Sequence, residues 1–305
     1  MKILLLGYSN IAKKRFINFF NSKKFTIYIS SKSTREKIPE ISKQFNSYEE
    51  ALNKSDANLV YISLPNSLHF KWAYKALALG YHVVVDKPLC NTKFELNKLI
   101  NISKHKKKLL AEATFFNYHH QFKKTLNLIK NKKQIKEIHA NFTIPKPKKN
   151  TLLASKEFKG GALMDMGPYA AAVARIFFNE KIVSYKTYVK KNKYNLVTSI
   201  KFLINYGSKV YSGQFKFGGS YENKLTIITN SNTIILNRVF SPPSDQNLNL
   251  IINNKNSQTI HKIKKDNCFG NFFDEVLQNI KKKKFNFYID NIKFDNNFRN
   301  KILKK

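Results

Sequence analysis

The first 115 or so residues alternate between short apolar segments and amphipathic segments, and this alternation is the strongest constraint on the fold. Strands that are separated by helices are joined by right-handed crossovers, which build a mainly parallel sheet with helices on its faces. The predicted strands are residues 2–6, 25–29, 58–64, 81–85 and 109–115, and the predicted helices are 11–20, a short helix from 47, 70–79 and 92–104. The sequence therefore predicts an N-terminal α/β domain with a doubly wound parallel sheet.

After about residue 120 the pattern changes to strands without long helices between them. Alternating apolar residues with turn residues such as Tyr206-Gly207-Ser208 are typical of antiparallel hairpins. The predicted strands lie near 136–143 and at 183–189, 195–204, 210–217, 225–229, 233–236 and 248–252, with helices at 122–132, at the Gly160-Gly161 segment and at 269–280. We therefore predict two domains, residues 1–120 and residues 121–305, the second an α+β domain with an open, mostly antiparallel sheet.

The chain is strongly basic, with 55 Lys and Arg against 19 Asp and Glu and a formal net charge of +36. The lysines are spread along the whole chain, with only short runs such as residues 281–284. A dispersed charge favours a solvated cationic surface over a specific nucleic-acid site, although loose binding of polyanions at low salt is expected from the charge.

Three features of the sequence suggest the compartment. The chain has no run of about 18 apolar residues, so no transmembrane helix and no membrane partner are predicted. Its two cysteines, Cys90 and Cys268, are too few for a disulfide framework. Residues 1–7 are too short and too early for a signal peptide and are predicted to be a strand, so we expect a cytoplasmic protein.

The first strand runs into Gly7-Tyr8-Ser9-Asn10-Ile11-Ala12, a G-x-G-x-x-A pattern with Ser9 in place of the second glycine. In dinucleotide-binding folds this turn brings the backbone close to a pyrophosphate at a helix N-terminus. We expect Gly7, Ser9, Asn10 and Ile11 to contact the pyrophosphate, and the Ser9 hydroxyl could also bond it. The alternative is an ordinary strand–turn–helix without a ligand.

The end of the second strand bears on the choice of cofactor. Enzymes that use NAD usually carry Asp or Glu there to bind the ribose hydroxyls. Here the chain reads Ile29-Ser30-Ser31-Lys32, followed by Arg35, with no carboxylate to repel a 2′-phosphate. We therefore expect Ser31 and Lys32 to bind that phosphate and favour NADP(H) over NAD(H). The alternative is that Lys32 and Arg35 are surface charges.

The short β-branched strand Val83-Val84-Val85 is followed directly by Asp86-Lys87-Pro88. In open α/β sheets ligands bind just outside the carboxyl ends of the strands. An acid and an amine at that edge are therefore placed for chemistry. The alternative is that Lys87 is an ordinary surface lysine.

Together these motifs resemble the glucose-fructose oxidoreductase/inositol dehydrogenase/MocA (Gfo/Idh/MocA) family of oxidoreductases. The resemblance covers nearly the whole chain in order. It rests on the fingerprint at Gly7, Leu64-Pro65-Asn66-Ser67-Leu68-His69, Asp86-Lys87-Pro88 where Glu-Lys-Pro is usual, Glu112 with 117–121, and the Gly-Gly-x-x-x-Asp-x-Gly-x-(His/Tyr) signature at 160–169. Tyr169 at the last signature position is similar to the branch with dihydrodiol dehydrogenases and nucleotide-diphospho-keto-sugar reductases, and the segment 238–243 resembles one in the sugar reductases.

The resemblance implies a Rossmann domain followed by a domain whose open sheet commonly packs in oligomers, so a homodimer or homotetramer through that sheet is expected. It places Leu64, Pro65, Asn66 and His69 against the nicotinamide half of the cofactor. Asp86 and Lys87 are expected to contact the cofactor as well.

The resemblance implies that Lys87 and Tyr169 act together in catalysis. Tyr169 would donate a proton to the substrate oxygen during hydride transfer, but a free phenol has a pKa of ~10. An ammonium ~4 Å away at an effective dielectric of ~20 contributes ~4 kcal/mol, or at most about 3 pKa units. Asp165, four residues before Tyr169 and on the same face if the segment is helical, would orient Lys87 or a substrate hydroxyl. Alternatively, Tyr169 is a packed aromatic residue and Asp165 is structural.

The function predicted from these residues is an NAD(P)H-dependent oxidoreductase acting on the CH–OH or carbonyl group of a sugar, including a nucleotide-linked keto-sugar. The alternatives are a dihydrodiol-type alcohol dehydrogenase and a non-catalytic cofactor-sensing regulator. No metal is predicted, because the adjacent His119 and His120 face opposite ways on an extended segment and no ligand cluster accompanies them.

Overall fold

A computed structural model describes residues 1–32, 38–129, 131–149, 151–178 and 180–303. The first sheet consists of six short strands: β1 (Lys2–Leu6), β2 (Thr26–Ser30), β3 (Lys43–Phe45), β4 (Leu59–Ile62), β5 (His82–Asp86) and β6 (Leu110–Ala113). They lie in the order β3-β2-β1-β4-β5-β6, and every neighbouring pair is parallel. The side chains of Leu4, Val60 and Val84 are fully buried, as expected for strands covered on both faces. The predicted doubly wound sheet is confirmed.

Two helices of this part of the chain begin at a polar cap, Ser47 or Thr92. A π-helical turn (Ala12–Phe16) precedes α1 (Ile17–Ser22), and α2 (Tyr48–Lys54), α3 (Asn66–Ala78) and α4 (Lys93–His105) follow. Thr92 Oγ1 accepts the Glu95 N–H at 3.1 Å while the Glu95 carboxylate accepts the Thr92 N–H at 3.2 Å, which forms a capping box. At α2, Ser47 caps Glu50, but the Glu50 carboxylate accepts from Asn46 instead.

The second sheet has eight strands and is mostly antiparallel, which confirms the predicted fold class. Its elements, with the helices of this part of the chain, are α5 (His120–Leu128), β7 (Ile135–Ile144), α6 (Ala162–Phe177), β8 (Ser184–Lys191), β9 (Val197–Asn205), β10 (Val210–Phe217), β11 (Glu222–Thr229), β12 (Thr233–Asn237), β13 (Leu248–Asn253), β14 (Gln258–Ile263), α7 (Cys268–Lys281) and α8 (Asn286–Leu303). The strand order is β14-β13-β12-β11-β7-β10-β9-β8, and only β7 and β10 run parallel among these strands. Gly207, with φ +85°, turns the chain between β9 and β10 as predicted.

Three elements were not predicted. β3 is only three residues long and exposes Lys43 and Gln44, so it has no apolar pattern to detect. β14 is an edge strand in which only Ile263 is buried. The last helix is α8 rather than the predicted helix at 269–280; its buried residues stand among asparagines, which have low helix propensity.

The chain divides into two compact units. The first unit comprises residues 1–113 and 272–293, and the second comprises residues 114–271 and 294–305. The predicted division at residue 120 stays a prediction, because compactness alone does not establish which segments fold independently. Among the described residues, no helix is both long and apolar enough to cross a membrane.

Candidate functional site

Gly7 stands where the ends of three parallel strands meet. Its φ is +96°, and a Cβ at this position would lie 2.3 Å from the carbonyl oxygen of Ser63. Its N–H donates to the carbonyl of Ser30 at the end of β2 at 2.9 Å. Only glycine tolerates both this backbone conformation and this contact. The strand–turn–helix predicted from the sequence is therefore present.

Ser9, the replacement for the usual second glycine, begins a chain of hydrogen bonds. Its hydroxyl accepts the Ala12 N–H at 3.2 Å and lies 2.6 Å from the hydroxyl of Ser63. Ser63 in turn donates to Asp86 Oδ2 at 2.5 Å. Because the Ser63 proton goes to the carboxylate, the Ser9 proton goes to Ser63. The hydroxyl is thus engaged within the protein.

Tyr61 donates its hydroxyl to the other carboxylate oxygen of Asp86. The phenol is fully buried, and its ring packs 5.2 Å from Phe16 and 5.3 Å from Phe273. Burial, followed by the charge of Asp86, raises the pKa of Tyr61 well above 10, so this hydroxyl remains a donor at neutral pH. Asp86 is therefore fixed through both oxygens.

The loop that follows Asp86 is held from two further directions. Lys87 and Pro88 are joined by a cis peptide bond. His69 is fully buried, with Nδ1 2.8 Å from the carbonyl of Pro88 and Nε2 2.7 Å from the carbonyl of Leu64. The N–H of Leu89 donates to Glu112 Oε2 at 2.7 Å. These contacts fix the backbone on the C-terminal side of Lys87, which is itself half-buried.

The end of β2 presents short polar residues and one cation. Ser30 is buried, Ser31 is half-buried and Lys32 is exposed. The next described residue is Ile38, so the predicted surface role of Arg35 lies outside the described residues. Within residues 29–32 no carboxylate faces the position expected for the ribose.

In the second unit, Asp165 and Tyr169 lie one turn apart on α6, as the signature predicted if it was helical. The helix starts at a tight turn, because Gly161 has φ +101° and a Cβ on Gly160 would lie 2.5 Å from the carbonyl oxygens of Leu152 and Leu153. The glycine pair of the signature is therefore required by the backbone, and it sets where α6 begins.

The ring of Tyr169 is packed among three phenylalanines. Its centroid lies 5.7 Å from Phe116, 5.7 Å from Phe142 and 5.5 Å from Phe240. The side chain is nevertheless only partly buried. A ring held on several sides with part of its surface open is suited to present a hydroxyl in one direction.

Two contacts hold α6 itself. Arg175 makes a bidentate pair with Asp295 of α8, with Nε–Oδ1 at 2.9 Å and Nη2–Oδ2 at 3.2 Å. The hydroxyl of the buried Tyr211 on β10 donates to the carbonyl of Ala170 at 3.0 Å. The helix that carries Asp165 and Tyr169 is thus fixed by charged and neutral hydrogen bonds on different turns.

The structure brings together the residues predicted in the first unit, because Gly7, Ser9, Leu64, His69 and Asp86 are joined through direct contacts or shared partners. Sequence reasoning missed two residues of this network, Tyr61 and Ser63. Ser63 is a polar residue directly after the buried run Leu59–Ile62, which is the signal that could have found it. The predicted catalytic and cofactor-binding roles of these residues stay predictions.

The histidine pair at the start of α5 has separate environments. His119 is buried and accepts the Gln121 N–H at 3.1 Å, whereas His120 is exposed beside Asp266. In the part of the chain that the structure describes, no group of three or more His, Cys, Asp or Glu residues is arranged to hold a metal ion.

The parallel sheet, the glycine turn at Gly7 and the loop at Asp86 are the features of a dinucleotide-binding Rossmann fold. Residues 1–114 match the family described as an oxidoreductase family with an NAD-binding Rossmann fold, GFO_IDH_MocA.

Two relatives and one solved structure extend the comparison. A dTDP-3,4-didehydro-2,6-dideoxy-alpha-D-glucose 3-reductase of Actinomadura kijaniata is 24% identical over 255 residues, which are 80% of this chain and 76% of the relative. An enzyme of the same name from Saccharopolyspora spinosa is 27% identical over 65% of this chain and 61% of its own. A crystal structure of a 3-ketoreductase from Actinomadura kijaniata, in complex with NADP and TDP-benzene, superposes with a TM-score of 0.90 at 19% identity. It covers 99% of this chain and 97% of that chain, which shows that the whole fold is shared.

Proposed function

We propose that this protein is an NAD(P)H-dependent oxidoreductase that transfers hydride between nicotinamide and the carbonyl or hydroxyl carbon of a sugar. The observation that carries the proposal is the retention of Lys87 and Tyr169, each on a backbone that buried contacts hold in place. The sugar reductases that are similar over up to four-fifths of the chain support the substrate class. The length of this similarity favours a sugar over a dihydrodiol as the substrate. The presence of both Lys87 and Tyr169 argues against a non-catalytic regulator.

The residues at the strand ends suit a dinucleotide. Gly7 leaves room where a side chain would collide with Ser63, and the helical segment that starts at Asn10 offers free N–H groups and a positive dipole end. Gly7, Ser9, Asn10 and Ile11 would hold the pyrophosphate through backbone groups, since the Ser9 hydroxyl is engaged with Ser63. Leu64, Pro65 and Asn66 would lie along the nicotinamide half. When bound, the cofactor supplies or accepts the hydride.

The preference for NADP(H) rests on Ser31 and the exposed Lys32. A charge-assisted hydrogen bond from Lys32 to a 2′-phosphate contributes about 1.5–3 kcal/mol, or about 10- to 150-fold in affinity. We expect Lys32→Glu to remove the preference and to leave NADH binding nearly unchanged, measured as dissociation constants from nicotinamide fluorescence. Lys106→Glu, on another exposed lysine of the same unit, is the control. Equal affinities of the natural protein for NADPH and NADH would contradict this preference.

In this proposal Tyr169 gives a proton to the substrate oxygen and Lys87 favours the phenolate that results. Asp165 orients Lys87 or a substrate hydroxyl. The pairing of Lys87 with Tyr169 is based on the signature and on the family resemblance. It predicts that variants of two different tyrosines will differ in turnover.

The test compares Tyr169→Phe with Tyr211→Phe. Loss of a general acid lowers kcat by about 10²- to 10⁴-fold, so Tyr169→Phe is expected to reduce NADPH oxidation with a keto-sugar by that factor while NADPH still binds. Tyr211→Phe removes the hydroxyl that bonds the carbonyl of Ala170, on the helix that carries Tyr169. It is expected to lower the free energy of unfolding by only about 1 kcal/mol. Turnover that survives in Tyr169→Phe would exclude the proposed acid, and failure of the natural protein to bind NADPH or NADH would exclude the function.

The expected homodimer or homotetramer would use the face of the second sheet opposite α6. Alternating exposed residues on this face include Lys201 and Leu203 of β9 and Ile260 of β14. The measurement is light scattering on the natural protein and on Leu203→Glu, which is expected to dissociate an assembly formed through this face. A monomer at every concentration would contradict the proposal.

A further inference from the structure

The hydroxyl of Ser9 belongs to a set of hydrogen bonds in which every proton points toward one carboxylate. Ser9 donates to Ser63, and Ser63 donates to Asp86 Oδ2 at 2.5 Å. Tyr61 donates to the other carboxylate oxygen. Neither Ser63 nor Tyr61 can reverse its bond, because an ionised carboxylate only accepts. The chain of hydroxyls therefore has one direction, and it ends at Asp86.

A second connection runs through the helical segment that follows the glycine turn. Ser9 Oγ accepts the Ala12 N–H at 3.2 Å, where the π-helical turn begins. That turn ends at Phe16, whose ring stacks on Tyr61 at 5.2 Å. π-Helical turns inside longer helices are frequent at functional sites. A movement of Ser9 would thus reach Asp86 by two routes, one through hydroxyls and one through packed rings.

The residues of this network come from three neighbouring strands. Ser9 follows β1, Tyr61 and Ser63 lie at the end of β4, and Asp86 is the last residue of β5. Tyr61 is fully buried and Ser63 is 3% exposed, so water has little access to their hydroxyls. In such surroundings linked hydrogen bonds polarise one another and hold a single geometry. The network is therefore a rigid connection between the glycine turn and the end of β5.

The end of β5 determines how Lys87 is presented. Lys87 follows Asp86 directly, so the direction in which the chain leaves the strand sets the position of the amine. On the far side of Lys87 the loop is held by hydrogen bonds to the backbone of Pro88 and Leu89. On the near side it is held through the Asp86 carboxylate. The half-buried lysine thus stands between two fixed points.

The serine at position 9 gives the turn a property that the usual glycine lacks. A glycine in the second place of the fingerprint lets the backbone approach a pyrophosphate, but it has no hydroxyl to donate to Ser63. Because the Ser9 hydroxyl is already engaged with Ser63, its removal takes no side-chain bond from a phosphate. It would instead loosen the chain that ends at Asp86.

We propose that Ser9, Ser63 and Tyr61 are positioning residues for Lys87, which they hold in place through Asp86. This inference rests on the proposed function, which it deepens by giving the pyrophosphate turn a second role in orienting the catalytic lysine. Loss of the Ser9 hydroxyl then lowers kcat and leaves the dissociation constant of NADPH nearly unchanged. A residue that served cofactor binding alone would show the opposite pattern.

The first test compares Ser9→Ala with Ser47→Ala. Ser47 also accepts the N–H of the third residue after it, Glu50 at 3.0 Å, but it caps α2 and lies outside the chain of hydroxyls. A misplacement of ~1 Å can lower turnover by ~10²-fold, so Ser9→Ala is expected to lower kcat for NADPH oxidation with a keto-sugar about 10- to 100-fold. The dissociation constant of NADPH is expected to change less than about 3-fold. Ser47→Ala is expected to change neither constant.

A double-mutant cycle tests whether the hydroxyls act through Asp86. Tyr61→Phe removes one donor to the carboxylate but keeps the ring that packs on Phe16, and it is expected to lower kcat as Ser9→Ala does. In Asp86→Ala the end of the chain is already absent. Adding Ser9→Ala to that variant is therefore expected to lower kcat by less than about 3-fold further. Equal factors in the two backgrounds would overturn the proposed route.

A second measurement does not depend on turnover. The rate at which an amine-reactive ester labels Lys87, followed by peptide mass spectrometry, reports how firmly this half-buried side chain is held. Labelling is expected to be about 3- to 10-fold faster in Ser9→Ala and in Tyr61→Phe, and unchanged in Ser47→Ala. Unchanged labelling in Ser9→Ala, or weaker NADPH binding with unchanged kcat, would overturn the positioning role. If the proposed function is wrong, the natural protein will not oxidise NADPH with any keto-sugar, although labelling of Lys87 still depends on Ser9.

Discussion

Ser63 joins the glycine turn to the loop before Lys87, and its removal tests whether this connection stabilises the first unit. Ser63→Ala deletes a hydrogen bond to the Asp86 carboxylate and one to the Ser9 hydroxyl. Hydrogen bonds to charged groups contribute about 1.5–3 kcal/mol and neutral ones about 0.5–1.5 kcal/mol. Because Ser63 is only 3% exposed, water has little access to the vacated position. The expected loss in the free energy of unfolding is about 2–4 kcal/mol.

The matched control is Ser30→Ala. Ser30 is also a buried serine at the end of a strand of the same sheet, but its hydroxyl makes no hydrogen bond to any described residue. Its removal is expected to change stability by less than about 0.5 kcal/mol or to stabilise slightly. The assay is urea unfolding followed by the fluorescence of the only tryptophan, Trp72, which is buried in the core of the first unit. Equal midpoints for the two variants would refute the reasoning, and so would a larger loss in Ser30→Ala.

Two further predictions concern the first unit. Burial and then the charge of Lys108 lower the pKa of His82 to about 4, and its Nδ1 accepts the Leu109 N–H, so protonation opposes folding. The stability that neutral His82 contributes is therefore complete above the unfolded pKa of ~6.5 and is lost as pH falls toward 4. His82→Asn is expected to flatten the dependence of the thermal-unfolding midpoint on pH over this range. Parallel pH profiles for the variant and the natural protein would contradict this prediction. Gly7→Ala is expected to destabilise by about 2–4 kcal/mol and to weaken NADPH binding, because its Cβ meets the Ser63 carbonyl. Gly80 has a similar φ of +88°, but the nearest atom to a Cβ at this position would be 3.9 Å away. Gly80→Ala is therefore expected to show only the conformational part of the loss. Equal losses in the two variants would mean that the contact with Ser63 has no effect.

Local patterns were sufficient to predict much of the fold. The buried strands of the first sheet are nearly continuous apolar runs. Each of the helix caps at Ser47 and Thr92 involves only four consecutive residues. The asparagine-rich α8 and the polar edge strand β14 carry no such pattern, because their stability comes from tertiary packing and from pairing with β13. The π-helical turn at Ala12–Phe16 likewise cannot be distinguished from an α-helix by apolar spacing.

The candidate site was predictable where one residue type is required by the backbone. Gly7, Gly160 and Gly161 stand in conformations or contacts that exclude side chains, so their positions in the sequence carry the information. Ser63 and Tyr61 act only because β4 lies between β1 and β5 in the sheet. Asn223 reaches Ser241 in the same way, because β11 pairs with β12. Such networks join residues that are distant in sequence, so no local motif predicts them.

The placement of Phe273 has a consequence for how this chain matures on the ribosome. Its ring packs against Phe16, Phe20 and Tyr61, so part of the cover of the first sheet comes from residues made long after the strands that they cover. The opening hundred residues then emerge with an aromatic surface that has no lasting partner until Phe273 has been made. Nascent chains halted before that point should bind chaperones or a hydrophobic dye more strongly than chains released after it.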